Sequence, residues 1–164
     1  MELVKTKSGL KALNVPYQGS APSINAVLTG LDRKGWSPDV VVIDYADLLA
    51  APTGYTESRD QINATWKTLR AISQRFHCLV VTATQAKASS YTKGTIDRSD
   101  YAEDKRKLAH ATGIVGINQD SDEKVMQVMR LNWVVLREWE YSESTCVHVA
   151  GCLGLAQPFM LSTF

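Results

Sequence analysis

Asp39-Val-Val-Val-Ile-Asp44 is the stretch of sequence that decides the fold. Its four consecutive β-branched residues predict a strand buried on both faces, which is the usual environment of a strand in a parallel sheet. A second apolar run, Cys78-Leu-Val-Val-Thr-Ala-Thr84, predicts another buried strand. Residues 56–76 predict a long helix between them, because their apolar residues recur at helical spacing. This apolar face consists of Ile62, Trp66, Leu69, Ile72 and Phe76. Two strands joined by a helical crossover predict a βαβ unit.

Shorter elements are predicted on both sides of this unit. Upstream, residues 10–15 predict a strand that ends at Pro16, and Ser23 is expected to cap a helix. The apolar face of that helix consists of Ile24, Val27, Leu28 and Leu31. Downstream, the pattern predicts a polar loop, a helix, a strand, a hairpin and a last short strand. These elements are expected at 85–99, 100–111, 113–118, 124–137 with 145–153, and from about Phe159.

Composition places the chain among ordinary globular proteins. Its 164 residues suffice for one domain spanning 1–164, with 45% apolar and 21% charged residues. The net charge of +1 gives no bulk attraction for nucleic acid, so any basic surface must be local. The three cysteines have no metal-ligand spacing, and no secretion signal or membrane-length apolar run occurs. A reduced, cytoplasmic protein is therefore expected.

Two polar residues follow the predicted buried strands. Asp44 ends the first strand, at the sheet edge where open α/β sheets bind ligands. A carboxylate there can hold Mg²⁺ beside nucleotide phosphates, directly or through water, although an Asp that only caps a turn fits the pattern equally well. Gln85 follows the second strand and can contact a γ-phosphate or the attacking water. Taken alone, Gln85 fits a polar residue at the start of a loop better.

Together these motifs are similar to a known family. Asp39-Val-Val-Val-Ile-Asp-Tyr-Ala-Asp-Leu-Leu49, followed by Val80-Val-Thr-Ala-Thr-Gln85, resembles the DnaB-type branch of the RecA-like ATPases. In that family the first strand is the Walker B motif, and the second ends in a glutamine that senses bound nucleotide. Leu69-Arg70-Ala71-Ile72 matches a core stretch of the intervening helix. The resemblance implies an α/β fold, part of a RecA-like core with a mostly parallel sheet, helices on both faces and a C-terminal β-hairpin.

The resemblance continues more weakly beyond residue 100, where phage-encoded members, which diverge there, are the most similar. Glu103, the basic helix ending Ala109-His-Ala111, and Gly113–Asn118 look like the family segment that contacts single-stranded DNA. Residues 85–107 hold six basic and four acidic side chains, with Tyr91 and Tyr101 available for base stacking. By charge alone a solvated loop fits this region better. The implied DNA-binding residues are Lys87, Lys93, Arg98, Glu103, Lys105 and Arg106.

Three departures from the family pattern matter. No G-x-x-x-x-G-K-[ST] motif, which cradles the phosphates, occurs in the sequence, and the family's catalytic Glu is also missing. The family's late Lys-x-Arg reads Val135-Leu136-Arg137 here. Arg137 therefore matches the arginine finger without its Lys, and a surface Arg paired with Glu138 or Glu140 is the alternative. We expect the chain to be part of a longer protein and to be inactive alone. Natural loss of the ATPase half is the other explanation.

The implied function is that of an ATP-dependent DNA helicase motor using ATP and Mg²⁺. Asp44 is expected to position Mg²⁺, Gln85 to read the γ-phosphate and Arg137 to complete a neighbour's site. The implied partners are single-stranded DNA, copies of the chain in a hexameric ring, and a primase or loader in the bacterial or phage-infected cell. A RecA- or KaiC-like recombinase or regulatory ATPase is one alternative, since a fold does not determine function. A non-catalytic adaptor derived from such a domain is another.

Overall fold

The computed structural model divides the chain into two compact units, Met1–Thr84 and Gln85–Phe164. The single domain predicted for residues 1–164 stays a prediction. The described residues are 2–5, 11–14, 19–50, 54, 57–87, 90, 93–101, 105–142, 144–151 and 159–160. The predicted Glu103 and Tyr91 lie outside them. In the part of the chain that these ranges cover, helices that could span a membrane are not found.

The first unit begins with a hairpin. Strands β1 (Glu2–Lys5) and β2 (Lys11–Asn14) pair antiparallel, with Leu3 opposite Leu13. Strand β2 confirms the strand predicted over 10–15. Strand β1 was not predicted, because an apolar-polar alternation over four residues is too short to be distinguished from coil.

Helix α1 (Ala21–Asp32) follows, and its cap differs from the prediction. Ser20, not Ser23, is the N-cap: the Ser20 hydroxyl accepts a hydrogen bond from the Ser23 amide at 3.4 Å, and the Ser23 hydroxyl accepts one from the Ser20 amide at 3.0 Å. This reciprocal capping box starts the helix three residues earlier than expected. Pro22 is tolerated there because amides of the first turn have no partner inside the helix.

The predicted βαβ unit is confirmed. Strand β3 (Val40–Ile43) pairs in parallel with β4 (Leu79–Thr82), and α2 (Ser58–Phe76) is the crossover between them. In α2 the predicted apolar face is directed inward, and three of its residues are buried: Trp66, Leu69 and Ile72. The α2 C-cap, His77, adopts a left-handed conformation that turns the chain into β4.

The two strands are not buried on both faces, and this part of the prediction was wrong. Side chains alternate between a half-buried face and an exposed one. The exposed face carries Val40, Val42, Leu79 and Val81, which are 50, 72, 58 and 42% exposed. Four β-branched residues in a row predict a strand that other elements cover on both sides, but in this chain only one side is covered. We call these four residues the open strand face.

The second unit is built on an antiparallel sheet in the order β5-β6-β7-β8. The strands are β5 (Gly113–Asn118), β6 (Val128–Leu136), β7 (Cys146–Ala150) and β8 (Phe159–Met160). The predicted strand at 113–118, the hairpin and the last short strand are therefore confirmed. Among described residues the sole parallel strand pair is β3–β4, and the α/β class with a C-terminal antiparallel hairpin holds.

The helices of this unit are shorter than predicted or unexpected. Helix α3 (Lys105–His110) occupies the end of the predicted 100–111 helix, whereas Asp100 belongs to a 3₁₀ helix at Arg98–Tyr101. Helix α4 (Ser121–Met126) replaces the first residues of the predicted hairpin strand. It begins because Asp120 and Glu123 form a capping box, an S/T/D-x-x-E signal that competes with strand alternation.

Residues 93–101, which we call the strap, are held on the sheet by buried amides. The Asn118 side chain donates to Asn132 Oδ1 at 2.8 Å and accepts from the Ile96 amide at 2.6 Å, and Asn132 donates to the Ile96 carbonyl at 3.1 Å. A β-carbon on Gly116 would lie 2.5 Å from Asn132 Oδ1, so glycine is needed there. Below the strap a small core forms from Tyr101, Val134 and Val135.

An ion pair attaches α4 to β6. Arg130 donates to both carboxylate oxygens of Glu123, one of them at 3.1 Å, and it lies 3.5 Å from the Thr95 hydroxyl. This hydrogen bonding by Arg130 lowers the pKa of Glu123, and the same contact raises the pKa of Arg130. Both side chains are largely buried, so the pair is screened less than a surface pair.

We expect Glu123→Gln to lower the free energy of unfolding at pH 7 by about 1.5 kcal/mol, the contribution of a hydrogen bond to a charged group. Because the pKa of Glu123 is lower in the folded chain, its stabilisation is complete above the unfolded value of about 4.3 and is lost as the pH falls through the folded value. Urea unfolding across this pH range should therefore show a weaker pH dependence for Glu123→Gln. The control is Glu138→Gln at an exposed carboxylate. Equal pH dependence in wild type and Glu123→Gln would contradict the assignment.

Candidate functional site

Asp44 lies directly after β3, at the carboxyl end of the parallel strand pair. Its side chain is exposed. The peptide bond from Asp44 to Tyr45 is cis, and a 3₁₀ helix at Ala46–Leu48 follows at once. The predicted placement of a carboxylate at this edge of the sheet is therefore what the chain adopts. Its predicted role in holding Mg²⁺ stays a prediction.

Two threonines of β4 and its extension hold the segment after Asp44 in place. The Thr82 hydroxyl accepts a hydrogen bond from the Ala46 amide and donates one to the Ile43 carbonyl, both at 2.9 Å. The Thr84 hydroxyl donates to Asp47 Oδ2 at 2.6 Å. These contacts, which we call the threonine latch, brace the residues on both sides of Asp44 against the neighbouring strand. Analysis of the sequence missed them, because they join residues 36 to 39 positions apart.

A small cleft of about 160 Å³ lies beside this segment. Its lining includes both 3₁₀ and α2 residues: Ala46, Asp47, Leu49, Ser58, Gln61, Ile62, Thr65 and Trp66. Asp44 is not part of that lining. Asp47, which the sequence did not single out, is both a latch residue and a wall of the cleft. The acidic groups on this edge are therefore Asp44, which is exposed, and Asp47, which is hydrogen-bonded.

Gln85 is exposed and is the first residue of the second unit. It was expected at the end of a strand over 78–84, but β4 ends at Thr82, so Gln85 follows the strand by three residues. The side chains assigned to the ATP site are thus divided between the units. Asp44 belongs to the first, and Gln85 and Arg137 belong to the second.

Arg137 follows β6 and contacts the C-terminal end of α3. Its guanidinium donates to the carbonyls of Ala111 and Ala109, each at 2.9 Å, and of Leu108 at 3.2 Å. In the described part of the chain, no ion pair links Arg137 to Glu138 or Glu140, so the expected alternative of a pairing with those residues was wrong. The carbonyls at the helix end are better placed, because they have no donor within the helix.

The basic residues assigned to DNA differ in how strongly the fold engages them. Lys93 forms ion pairs with Asp100 at 2.7 Å and Asp97 at 3.2 Å, and hydrogen bonding to Asp100 is the main reason that its pKa is raised. Arg98 donates to the Val134 carbonyl and to the Tyr141 hydroxyl. Both cations hold the strap in place, and two carboxylates offset the charge of Lys93.

The remaining candidates lie near or within α3. Lys87 is half-buried, and its amide donates to the Asp100 carbonyl at 3.2 Å. Lys105 is the first residue of α3, and Arg106 is half-buried in the same helix. Tyr101 is 8% exposed, and burial raises its pKa, so the expectation that it stacks on bases was wrong. Its ring is instead part of the core beneath the strap.

We expect Thr82→Val to lower the free energy of unfolding by about 1–3 kcal/mol, because the buried Ala46 amide loses its acceptor while side-chain shape is kept. The matched control is Thr29→Val in α1, whose hydroxyl only bonds the Asn25 carbonyl one turn earlier. Urea unfolding of the two variants measures the difference. A Thr82→Val effect no larger than that of Thr29→Val would show that the latch does not hold the Asp44 segment.

Comparison with known proteins separates sequence from structure. No family model matches the sequence. No curated protein matches it either. Solved structures do match. The ATPase domain of a phage helicase superposes with a TM-score of 0.77 at 16% sequence identity, over 88% of this chain and 52% of that chain. A DnaB-like replicative helicase, described together with its interactions with primase, superposes with a TM-score of 0.70 at 17% identity.

The second match covers 81% of this chain and 34% of the helicase. The chain thus spans about half of the phage ATPase domain and about a third of the DnaB-like helicase. At such low identities the likeness establishes a common fold. The predicted RecA-like α/β fold is confirmed, and this chain shares its fold with the ATPase domain of a phage helicase and with part of a DnaB-like replicative helicase.

Proposed function

We propose that this chain is part of the motor domain of an ATP-dependent, DnaB-like DNA helicase. The observation that carries the proposal is the position of Asp44 at the carboxyl end of the β3–β4 pair, in a fold shared with the phage ATPase domain. Ligands of open α/β sheets bind at that edge, and a carboxylate there suits a metal-bound nucleotide. The whole protein's activity, substrates and partners belong to the same proposal.

The donor set on the chain suits Mg²⁺ only in part. Mg²⁺ prefers oxygen ligands and keeps several waters, so one or two carboxylates beside substrate phosphates are enough. Asp44 is exposed at the sheet edge and would hold the ion, with Asp47 engaged in the latch. Clusters of three or more metal-binding side chains are not found among the described residues, which agrees with phosphates completing the shell. When bound, Mg²⁺ neutralises charge that develops on the phosphates.

The phosphate-binding loop must come from outside these residues. The sequence contains no G-x-x-x-x-G-K-[ST] motif, so nothing in it offers the usual amides and lysine for the phosphates. We propose that the chain alone does not hydrolyse ATP and that it supplies the Walker B residue, the sensor and the finger. The same missing motif favours a second candidate, a non-catalytic adaptor with this fold. The variants below distinguish the two.

Gln85 and Arg137 are proposed to act on the γ-phosphate from different subunits. Gln85 is exposed at the start of the second unit and follows β4 closely, which supports a role in transmitting the nucleotide state to the loop after it. Arg137 is exposed, which supports a role at a neighbour's site. A guanidinium placed against a transferring phosphoryl group stabilises transition-state charge. This role requires a ring of subunits, which we propose to be a hexamer.

DNA binding is proposed for the basic residues of the second unit. Of these, the α3 residues Lys105 and Arg106 are the strongest candidates, because strap acids neutralise part of the charge at Lys93. Glu103, Lys87 and Arg98 remain in the proposed set. The net charge of +1 means that attraction for single-stranded DNA has to come from such a local group. A primase or loader is a further proposed partner, in a cytoplasmic setting.

We expect Asp44→Asn to abolish ATP hydrolysis in a preparation that includes a phosphate-binding loop, on the same polypeptide or on an added one. The reason is loss of the charge that positions Mg²⁺, and because Asp44 is exposed the free energy of unfolding should stay unchanged. Phosphate release and urea unfolding measure the two effects. The matched control is Asp39→Asn, an exposed Asp at the opposite end of the same strand. If Asp44→Asn turns over ATP like Asp39→Asn, the Walker B assignment is wrong and the adaptor is favoured.

Arg137 should act in trans. In rings of the ATPase, Arg137→Ala and Asp44→Asn should each be inactive, because a finger contributes roughly 10³–10⁵ in rate. Mixing the two variants should restore hydrolysis, since some interfaces then join an intact Asp44 to a neighbour's intact Arg137. The measurement is phosphate release against mixing ratio, with mixed rings verified by two affinity tags. Mixed rings without recovered activity would exclude the trans role.

A further inference from the structure

The contacts of Arg137 with α3 point to a second task for this side chain. Its Nε and Nη2 groups donate three hydrogen bonds to the carbonyls of Leu108, Ala109 and Ala111, and its own amide donates to the Thr112 carbonyl at 3.0 Å. One arginine after β6 thereby satisfies the end of α3 and the chain that leaves it. A side chain that only awaited a neighbouring subunit would not need these partners.

The physical reason for the contact is the exposed end of a short helix. The last carbonyls of a helix lack an internal donor and carry partial negative charge, so a cation there is stabilising. Helix α3 has only six residues, too few to be stable in isolation. A guanidinium suits the position better than an ammonium, because its planar fork presents several donors in fixed directions. The orientation of α3 on this unit therefore depends in part on Arg137.

The helix so held carries much of the basic charge of the second unit. Lys105, Arg106 and Lys107 are consecutive residues of α3, while the cations of the strap are engaged with Asp97, Asp100 and the Val134 carbonyl. Three adjacent basic residues favour binding of a polyanion only if they are presented together, because each phosphate contact is weak alone. The C-terminal carbonyls held by Arg137 lie one turn beyond them.

We propose that Arg137 is a positioning residue for DNA binding: it fixes the end of α3 and so presents Lys105, Arg106 and Lys107 to single-stranded DNA within its own subunit. The DNA-binding part of this inference rests on the proposed function, whereas the fixing of α3 does not. The finger role is compatible with it. The three bonds use one edge of the guanidinium, and the Nη1 group has no hydrogen-bond partner among the described residues. The side chain is also exposed.

The test uses the 164-residue chain itself and two measurements. Amide hydrogen exchange over residues 105–112 reports the order of α3, and fluorescence anisotropy with a labelled oligothymidylate reports DNA affinity. In Arg137→Ala we expect exchange in this segment to rise about tenfold, the equivalent of one charge-assisted hydrogen bond, while exchange in β6 and β7 stays unchanged. DNA affinity should fall by more than it does when an unrelated positive charge is removed.

The control for charge is Arg33→Ala, which removes an exposed cation at the end of α1 in the other unit. Arg137→Lys should recover part of both effects, because an ammonium still interacts with the helix end but cannot reach three carbonyls at once. Arg137→Gln separates charge from hydrogen bonding, since its amide can donate to a carbonyl and carries no charge. We expect Gln to recover α3 protection less well than Lys.

The outcomes are distinguishable. Unchanged exchange over α3 in Arg137→Ala overturns the proposal, whatever happens to DNA binding. Faster exchange combined with a DNA affinity equal to that of Arg33→Ala overturns the claim that α3 is positioned for DNA. If the wild-type chain binds no DNA while α3 still depends on Arg137, the proposed DNA contact fails and the fixing of the helix stands. Loss of order throughout the second unit in both Arg137→Ala and Arg137→Gln would mean a general structural role, and would also overturn the proposal.

Discussion

Parallel pairing of β3 with β4 is the constraint on which the first unit depends. Two parallel strands cannot be joined by a tight turn, so the chain must leave the sheet, form α2 and return. The return is possible because α2 buries an apolar stripe that includes Trp66 and Ile72. The same geometry places the ends of both strands on one edge. Asp44 lies there because of the strand pairing, and the hydroxyls of Thr82 and Thr84 reach the chain that follows it.

Much of the element order could be predicted from the sequence, because it is encoded locally. The apolar runs of β3 and β4, the helical spacing in α2 and the alternation in β6 and β7 each carry their own signal. The misassignments arose where two local signals compete. At α4 a capping box lies inside an alternating stretch, and at α1 the pair of serines contains two possible caps. Burial of both strand faces was inferred from the residue type, but coverage depends on what else is packed nearby.

The candidate site was predictable only in part, for a related reason. A carboxylate after a buried strand is a local feature, so the position of Asp44 follows from the sequence. The partners of Thr82 are 36 and 39 residues away and those of the Arg137 side chain 26 to 29, and no periodicity encodes them. The strap shows the same limit. Its lysine and arginine indicate a basic loop by composition, but folding pairs Lys93 with two aspartates. Local charge counts therefore overstate how basic the strap is.

The open strand face affects how the stability of the chain changes with temperature. The heat capacity change of unfolding comes mainly from apolar surface that water reaches only after unfolding, about 0.45 cal/K/mol for each Å². Val42 and Leu79 are already 72 and 58% exposed in the folded chain, so they add little to it. The curve of free energy against temperature is accordingly flatter than for a sheet covered on both faces. Any polypeptide surface that covers these residues makes the curve steeper and adds hydrophobic stabilisation that weakens on cooling.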